Sequence, residues 1–207
     1  MTPITKVEKL TRSQQVEKKK QAILTAAFDE FVDHGYAGAR MELIAKKAGV
    51  AKGTVFLHFT DKKTLFIELI KLHVLPVFSK AFQNDSDKIL RIQLEELFLP
   101  ILERLPTSKA FAIIQLILAE GKRFPELTEL YYDLVISKGI EKIKQLIDRA
   151  RKNEKDSIPP ALIQYPHLLF APLIMSFLWQ TNFQTYYPID FKKMVSAHLD
   201  ILFSNQQ

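Results

Sequence analysis

The chain of 207 residues contains no cysteine, 6 glycines, 1 tryptophan and 4 methionines. Without cysteine there is neither a disulfide framework nor a thiolate metal site, which fits a reducing compartment. So few glycines, together with a scarcity of alternating β-branched runs, argue against sheets. Long hydrophobic runs are missing too: the longest low-polarity stretch, Leu168–Trp179, is 12 residues and holds a proline and a serine, against the roughly 20 that a membrane-spanning helix needs. The opening MTPITKVEKL has no apolar core that could serve as an export signal. We therefore expect a cytoplasmic location and no membrane partner. The equipment of an enzyme is also lacking, with no glycine-rich phosphate loop, no nucleophile elbow and no His/Asp/Glu set at metal spacing. Catalytic residues, a metal and a cofactor are accordingly not expected.

What is present points to an all-α protein. Hydrophobic residues make up 47% of the chain, among them 15 Phe and 6 Tyr, enough for a sizeable core. The net charge of +6 is concentrated at the front: residues 1–63 carry 12 Lys/Arg against 7 Asp/Glu, and residues 64–207 carry 17 against 16. Such an excess is either the footprint of a phosphate-backbone binder or a solvated face.

The chain is organised around Met41–Lys63. Leu43, Ile44, Ala45 and Ala48 give a first short helix its apolar side, and Gly49 stands where a left-handed cap would end it. Val50 plugs the corner. A second short helix follows from Lys52, with Val55 and Phe59 on one side and Lys52, Thr54, Leu57 and His58 on the others. This is helix-turn-helix anatomy. Ahead of it, residues 1–16 read as a flexible basic arm with Lys6, Lys9 and Arg12, and residues 17–34 as a helix stopped by Gly35. We divide the chain into the arm, a three-helix helix-turn-helix domain over 17–63, and a helical domain over 64–207.

The second domain opens with a helix that Thr60 or Asp61 caps, Pro76 kinks and Asn84-Asp85-Ser86 ends. Further helices are expected over 89–105, 109–121, 124–152, 161–186 and 191–203, the polar residues 153–157 forming a loop. The segment between Tyr165 and Trp179 is apolar nearly all round, so it needs partners on every side. Either it is the most buried helix of a monomer, or the last two helices pair with those of a second copy into a homodimer.

At this point the residues carry a likeness. A basic first helix, Ile44-Ala45 in the second, Ala48-Gly49-Val50 at the turn, Lys52-Gly53-Thr54 opening the third, His58-Phe59 closing it and Lys62 starting the fourth resemble the DNA-binding domain of TetR-family transcriptional repressors. The resemblance covers roughly Lys18 to Leu69, and Gly121–Leu127 looks like part of the ligand-binding domains of some members. It implies a homodimer on a double-stranded DNA operator, controlled by a small molecule in the C-terminal domain. It also places Arg40, Lys52, Thr54, Leu57, His58 and Lys62 at DNA. By their chemistry, Lys52 and Lys62 suit phosphates, Thr54 a phosphate or thymine methyl, His58 a phosphate or base edge, and Arg40 a phosphate or guanine. Three positions depart from the pattern: Ala51 replaces a serine cap, Phe56 a tyrosine, and Arg40 a threonine or serine.

For the effector, Phe98, Phe111, Gln115, Phe124, Phe170, Phe177 and Gln180 could line an apolar cavity with polar handles, or simply pack the core. The expectation is a repressor released from its operator by a hydrophobic small molecule. The alternative is a helical binding module for apolar ligands or partner proteins that has lost specific DNA binding.

Overall fold

The computed structural model describes residues 11–82, 88–152 and 158–204, without the side chains of Lys80 and Phe82. All regular structure among them is helical, and no described helix is long and apolar enough to cross a membrane. The chain forms two compact units that divide after Leu69.

In the first unit, α1 spans Arg12–Gly38, α2 Met41–Lys47, α3 Lys52–His58 and α4 Lys62–Leu69. The arm expected over 1–16 is shorter at its C-terminal side, because Thr11 and Gln14 form a capping box that starts the helix at Arg12. Lys6 and Lys9 lie outside the described residues. Gly35, at φ 71°, interrupts α1 as its sequence position implied, and a last turn follows it. Phe31, Tyr36 and Phe66 form the centre of the core: Phe31 stacks on Tyr36 at 5.7 Å, and both meet Phe66 edge-on at 5.1 and 5.4 Å. Ile23, Ala27, Ile44, Val55, Phe59 and Leu65 close around them, all buried. Because Leu65, Phe66 and Leu69 are buried with this unit, the division falls after residue 69 instead of after 63.

The second unit begins with a π-helical turn, Ile70–Val74, and continues as α5 (Leu75–Phe82). Pro76 has no N–H to donate and its ring crowds the carbonyl four residues back, so the expected kink takes the form of this wider turn. Then come α6 (Leu90–Arg104), α7 (Lys109–Glu120), α8 (Pro125–Tyr131), a second π-helical turn (Tyr132–Ile136) and α9 (Ser137–Ala150). The single helix expected over 124–152 is thus continuous but carries an extra residue in one turn. The helix expected over 161–186 is three pieces: α10 (Pro160–Gln164), a 3-10 turn (Pro166–Phe170) and α11 (Ala171–Asn182). Pro166 is the cause of the first break, since it cannot continue the hydrogen-bond ladder of α10. The last helix, α12, runs Phe191–Phe203 with Asp190 capping it through the Lys193 N–H at 3.2 Å. The segments 84–86 and 153–157 lie outside the described residues.

The core of this unit is built from Leu94, Phe98 and Ile101 of α6, Ile143 and Ile147 of α9, and Val195 and Leu199 of α12. Arg91 of α6 ties the α12 end by donating to Asp200 at 2.9 Å and to its own Glu95 at 3.0 Å, while Ser196 donates to Glu95 at 2.6 Å. These carboxylates raise the Arg91 guanidinium, Asp200 foremost.

Candidate nucleic-acid interface

The corner between α2 and α3 is a complete Schellman motif. Gly49 sits at φ 66°, its N–H bonds to the Lys46 carbonyl at 3.2 Å, and the Val50 N–H reaches the Ala45 carbonyl at 3.0 Å. Two orphan carbonyls are satisfied at once, and the direction in which α3 leaves is fixed by backbone rather than by side chains. Ala51, at the N-cap of α3, offers no side-chain hydrogen bond. Asp61 caps the next helix by accepting from the Thr64 N–H at 2.6 Å, and that bond is the main reason its carboxyl is held below the ordinary range.

The sequence-derived DNA set separates on inspection. Arg40, Lys52 and Leu57 are exposed, whereas Thr54, His58 and Lys62 are half-buried. The Lys52 ammonium is 2.5 Å from the Glu42 carboxylate of α2 and 5.7 Å from the Phe56 ring centroid. Lys52 holds Glu42 below its usual range, chiefly by hydrogen bonding. Lys62 is directed inward: its ammonium donates to the Tyr36 carbonyl and to the Ala37 carbonyl at 3.3 Å, and lies 4.6 Å from the Tyr36 ring centroid. It closes the broken end of α1 against the start of α4.

The effector candidates fall into separate groups in the second unit. Phe111 of α7 packs on Phe177 of α11 at 4.8 Å, and beside them Gln115 donates to Thr181 at 3.1 Å. Phe98 and Phe170 meet at 6.4 Å inside the core, where Phe98 is 1% exposed. Phe124 is half-buried with the Arg123 guanidinium 5.4 Å from its ring centroid, and Gln180 is half-buried on α11. Tyr131, at the end of α8, has its phenol raised by burial. An open groove of about 720 Å³ lies in the first unit, lined by Ala22, Phe28, Val32, Asp33, Lys47 and Ala48, and none of the seven effector candidates borders it.

With this geometry in hand, comparison with known proteins gives two family matches. The family of bacterial regulatory proteins, tetR family, matches residues 23–69, and the C-terminal domain of AefR-like transcriptional repressors matches residues 92–184. The chain belongs to the TetR family. Among curated relatives of this TetR-family chain, the HTH-type transcriptional regulator RutR of Escherichia coli K12 is 38% identical over 85 residues. That match spans 40% of this chain and 40% of RutR, so less than half the length of that relative is covered. Two solved structures share the fold. Salmonella enterica GusR is similar at TM-score 0.72 and 19% identity over 95% of this chain and 100% of its own. NalD, the secondary repressor of the MexAB-OprM multidrug efflux pump in Pseudomonas aeruginosa, is similar at TM-score 0.65 and 23% identity over 92% and 96%.

One residue that organises this TetR-family helix-turn-helix was not singled out in the sequence. Glu30 of α1 is fully buried, and its carboxylate reaches both ends of α2: the Arg40 N–H at 3.4 Å and the Lys47 ammonium at 2.9 Å. His34 approaches the same carboxylate at 3.4 Å and Asp33 pairs with Lys47 at 3.1 Å. Glu30 and then Asp33, by hydrogen bonding, hold the Lys47 ammonium above its ordinary range. A signal was available, since Glu30 falls between Ala27 and Phe31 inside the apolar stripe of α1.

Proposed function

We propose that this chain is a DNA-binding transcriptional repressor that acts as a homodimer and is released by a hydrophobic small molecule. The observation that carries this is the backbone-fixed corner at Gly49–Val50, which presents α3 with Val55 inward and Lys52, Gly53, Phe56 and Leu57 outward. A helix held that way, in a unit with a positive excess, suits insertion into a major groove. Lys52 serves a phosphate, exchanging Glu42 for it, and Arg40 a phosphate or guanine. Thr54 and His58 lie at the groove edge, while Lys62 braces α4 and reaches DNA only secondarily. The regulator RutR and the repressor NalD, by their names, support a regulatory role of this class.

Dimerisation through the last two helices is supported by the apolar side that α11 leaves open. Ile174 is 60% exposed and Leu178, one turn on, 49%, with Ile201 of α12 at 70%. A second copy of the same row would cover them and place two copies of α3 on two half-sites. Phe111, Phe177 and Gln115, where α7 meets α11, with Gln180 on the same helix as Phe177, are the group best suited to a hydrophobic effector with polar handles.

The test is selection of bound DNA from a random pool, followed by titration of the selected duplex at 50 and 200 mM salt. A reader of several phosphates loses on the order of 10³-fold in affinity over that range, and Lys52→Ala weakens binding to all sequences and flattens the slope. Salt-independent or absent DNA binding would instead favour the helical binding module. Sedimentation of the unmodified protein as a folded monomer would remove the dimer.

A further inference from the structure

The outward side of α3 is apolar where a water-facing helix would be polar. Leu57 is 83% exposed and Phe56 is 41% exposed, whereas Val55 and Phe59 on the inner side are at 0% and 1%. One turn before Leu57 stands Gly53, and a Cβ added there would meet nothing within 4 Å. The outward side one turn before Leu57 is therefore bare backbone with open space around it, and Leu57 stands out from it as a knob. The Phe56 ring carries the Lys52 ammonium at 5.7 Å from its centroid, which joins the apolar edge to a cation at the start of the helix. Arg40, Lys46 and Lys63 are exposed on the same unit.

An apolar knob on a cationic unit matches one feature of DNA. In the major groove the thymine 5-methyl is the apolar group that a base edge offers, with phosphates to either side. Guanine, adenine and cytosine offer acceptors and donors that leucine and phenylalanine cannot answer. We propose that Leu57, supported by Phe56 and by the clearance at Gly53, reads thymine methyl groups, so that each half-site carries thymine where α3 meets the groove. This rests on the DNA-binding reading above and adds to it a base preference and the residue that sets it. Burying one additional methyl group changes affinity by roughly fourfold, so one thymine in each of two half-sites changes it by roughly sixteenfold.

The decisive experiment uses the full-length protein and the duplex selected from a random pool. Each thymine of a half-site is replaced in turn by deoxyuridine, which keeps every hydrogen-bonding group and removes only the methyl. The unmodified protein should lose roughly fourfold per methyl at one or two positions, and Leu57→Ala should bind the thymine and uracil duplexes equally. Lys52→Ala should weaken both while keeping their ratio. Leu57 is exposed, so its replacement leaves the core intact, and a circular dichroism melt checks this. Tight, salt-dependent binding that ignores every thymine-to-uracil change would overturn the inference and leave the DNA-binding reading standing; no salt-dependent binding to any duplex in the pool would overturn both. Vesicles of phosphatidylcholine and phosphatidylglycerol form the control arm. Leu57-dependent binding to them, with DNA affinity unchanged by Leu57→Ala, would assign the knob to a lipid surface and end the thymine reading.

Discussion

Replacing Lys62 with alanine separates a brace from a phosphate contact. Its ammonium donates to the carbonyls of Tyr36 and Ala37 and lies 4.6 Å from the Tyr36 ring centroid. A hydrogen bond to a charged group contributes about 1.5–3 kcal/mol, and an exposed cation–π contact about 0.5–1 kcal/mol. The side chain is half-buried and the longer bond to Ala37 is exposed to water, so the low end applies to the Tyr36 bond and the ring contact, the Ala37 bond adds little, and the expected loss is about 2 kcal/mol. For a urea m-value of about 2 kcal/mol/M, that lowers the midpoint by about 1 M with m unchanged. Lys62→Met, which keeps much of the aliphatic stem, should fall nearly as far, because the donors carry most of the effect. DNA titrations complete the assay: the salt slope of Lys62→Ala should stay close to that of the unmodified protein. An unchanged urea midpoint, together with a slope smaller by about one phosphate contact, would refute the brace and return Lys62 to the DNA surface.

Glu30 and Lys47 should be strongly coupled. Replacing both at once, Glu30→Leu with Lys47→Met, removes the buried carboxylate with its cation and should leave urea stability unchanged or raise it by about 1–4 kcal/mol, whereas Lys47→Met alone strands that carboxylate and should lower stability in the same titration by about 3 kcal/mol. Gly121→Ala would place a Cβ 2.2 Å from the Thr128 hydroxyl oxygen and 2.6 Å from the Ile117 carbonyl, costing about 3 kcal/mol by overpacking in the same assay. Gly53→Ala meets nothing within 4 Å and should stabilise the fold by about 0.5–1 kcal/mol while weakening DNA binding, since a methyl then stands on the bare outward backbone beside Leu57. His73 is held below its ordinary value of 6.5 by desolvation first and by Lys109 second. Below that value the unfolded chain binds a proton that the folded chain resists, so stability is full above pH 6.5 and declines as pH falls through it. Urea midpoints measured from pH 7.5 to 5 should show this slope, and His73→Gln should remove it.

Where local rules decide a conformation, the sequence was legible. Gly49 adopts the left-handed backbone expected of it, Gly35 breaks α1 where expected, α3 starts at Lys52, and α12 spans the expected residues 191–203. The capping box at Thr11 and Gln14 and the break at Pro166 are also written in local residue types, beneath the charge of the first segment and the apolar continuity of 161–186. What could not be read is what depends on two distant segments meeting. Glu30 lies in the apolar stripe of α1, but its partners are settled only when α2 folds across it, and Lys62 looks like a free cation until Gly35 turns the end of α1 toward it. Family likeness places residues on elements; it does not say which way a long side chain turns when a carbonyl competes with solvent. The same holds for the effector candidates, which share composition but sit in separate contacts.

Of the seven residues of α3, Val55 alone is buried. Its placement comes from outside it, through the corner at Gly49, the buried Phe59 that follows, and the α1 carboxylate that anchors α2. Substitutions on its outward side therefore carry only the small effects of surface changes, usually within about 0.5 kcal/mol. After a gene duplication, two copies could drift to different binding sites through single replacements in about two turns of helix, while the scaffold beneath them stays under constant selection for folding. The same uncoupling makes α3 a natural cassette for exchange: outward residues transplanted from another helix of equal length should redirect the protein without redesign of its core.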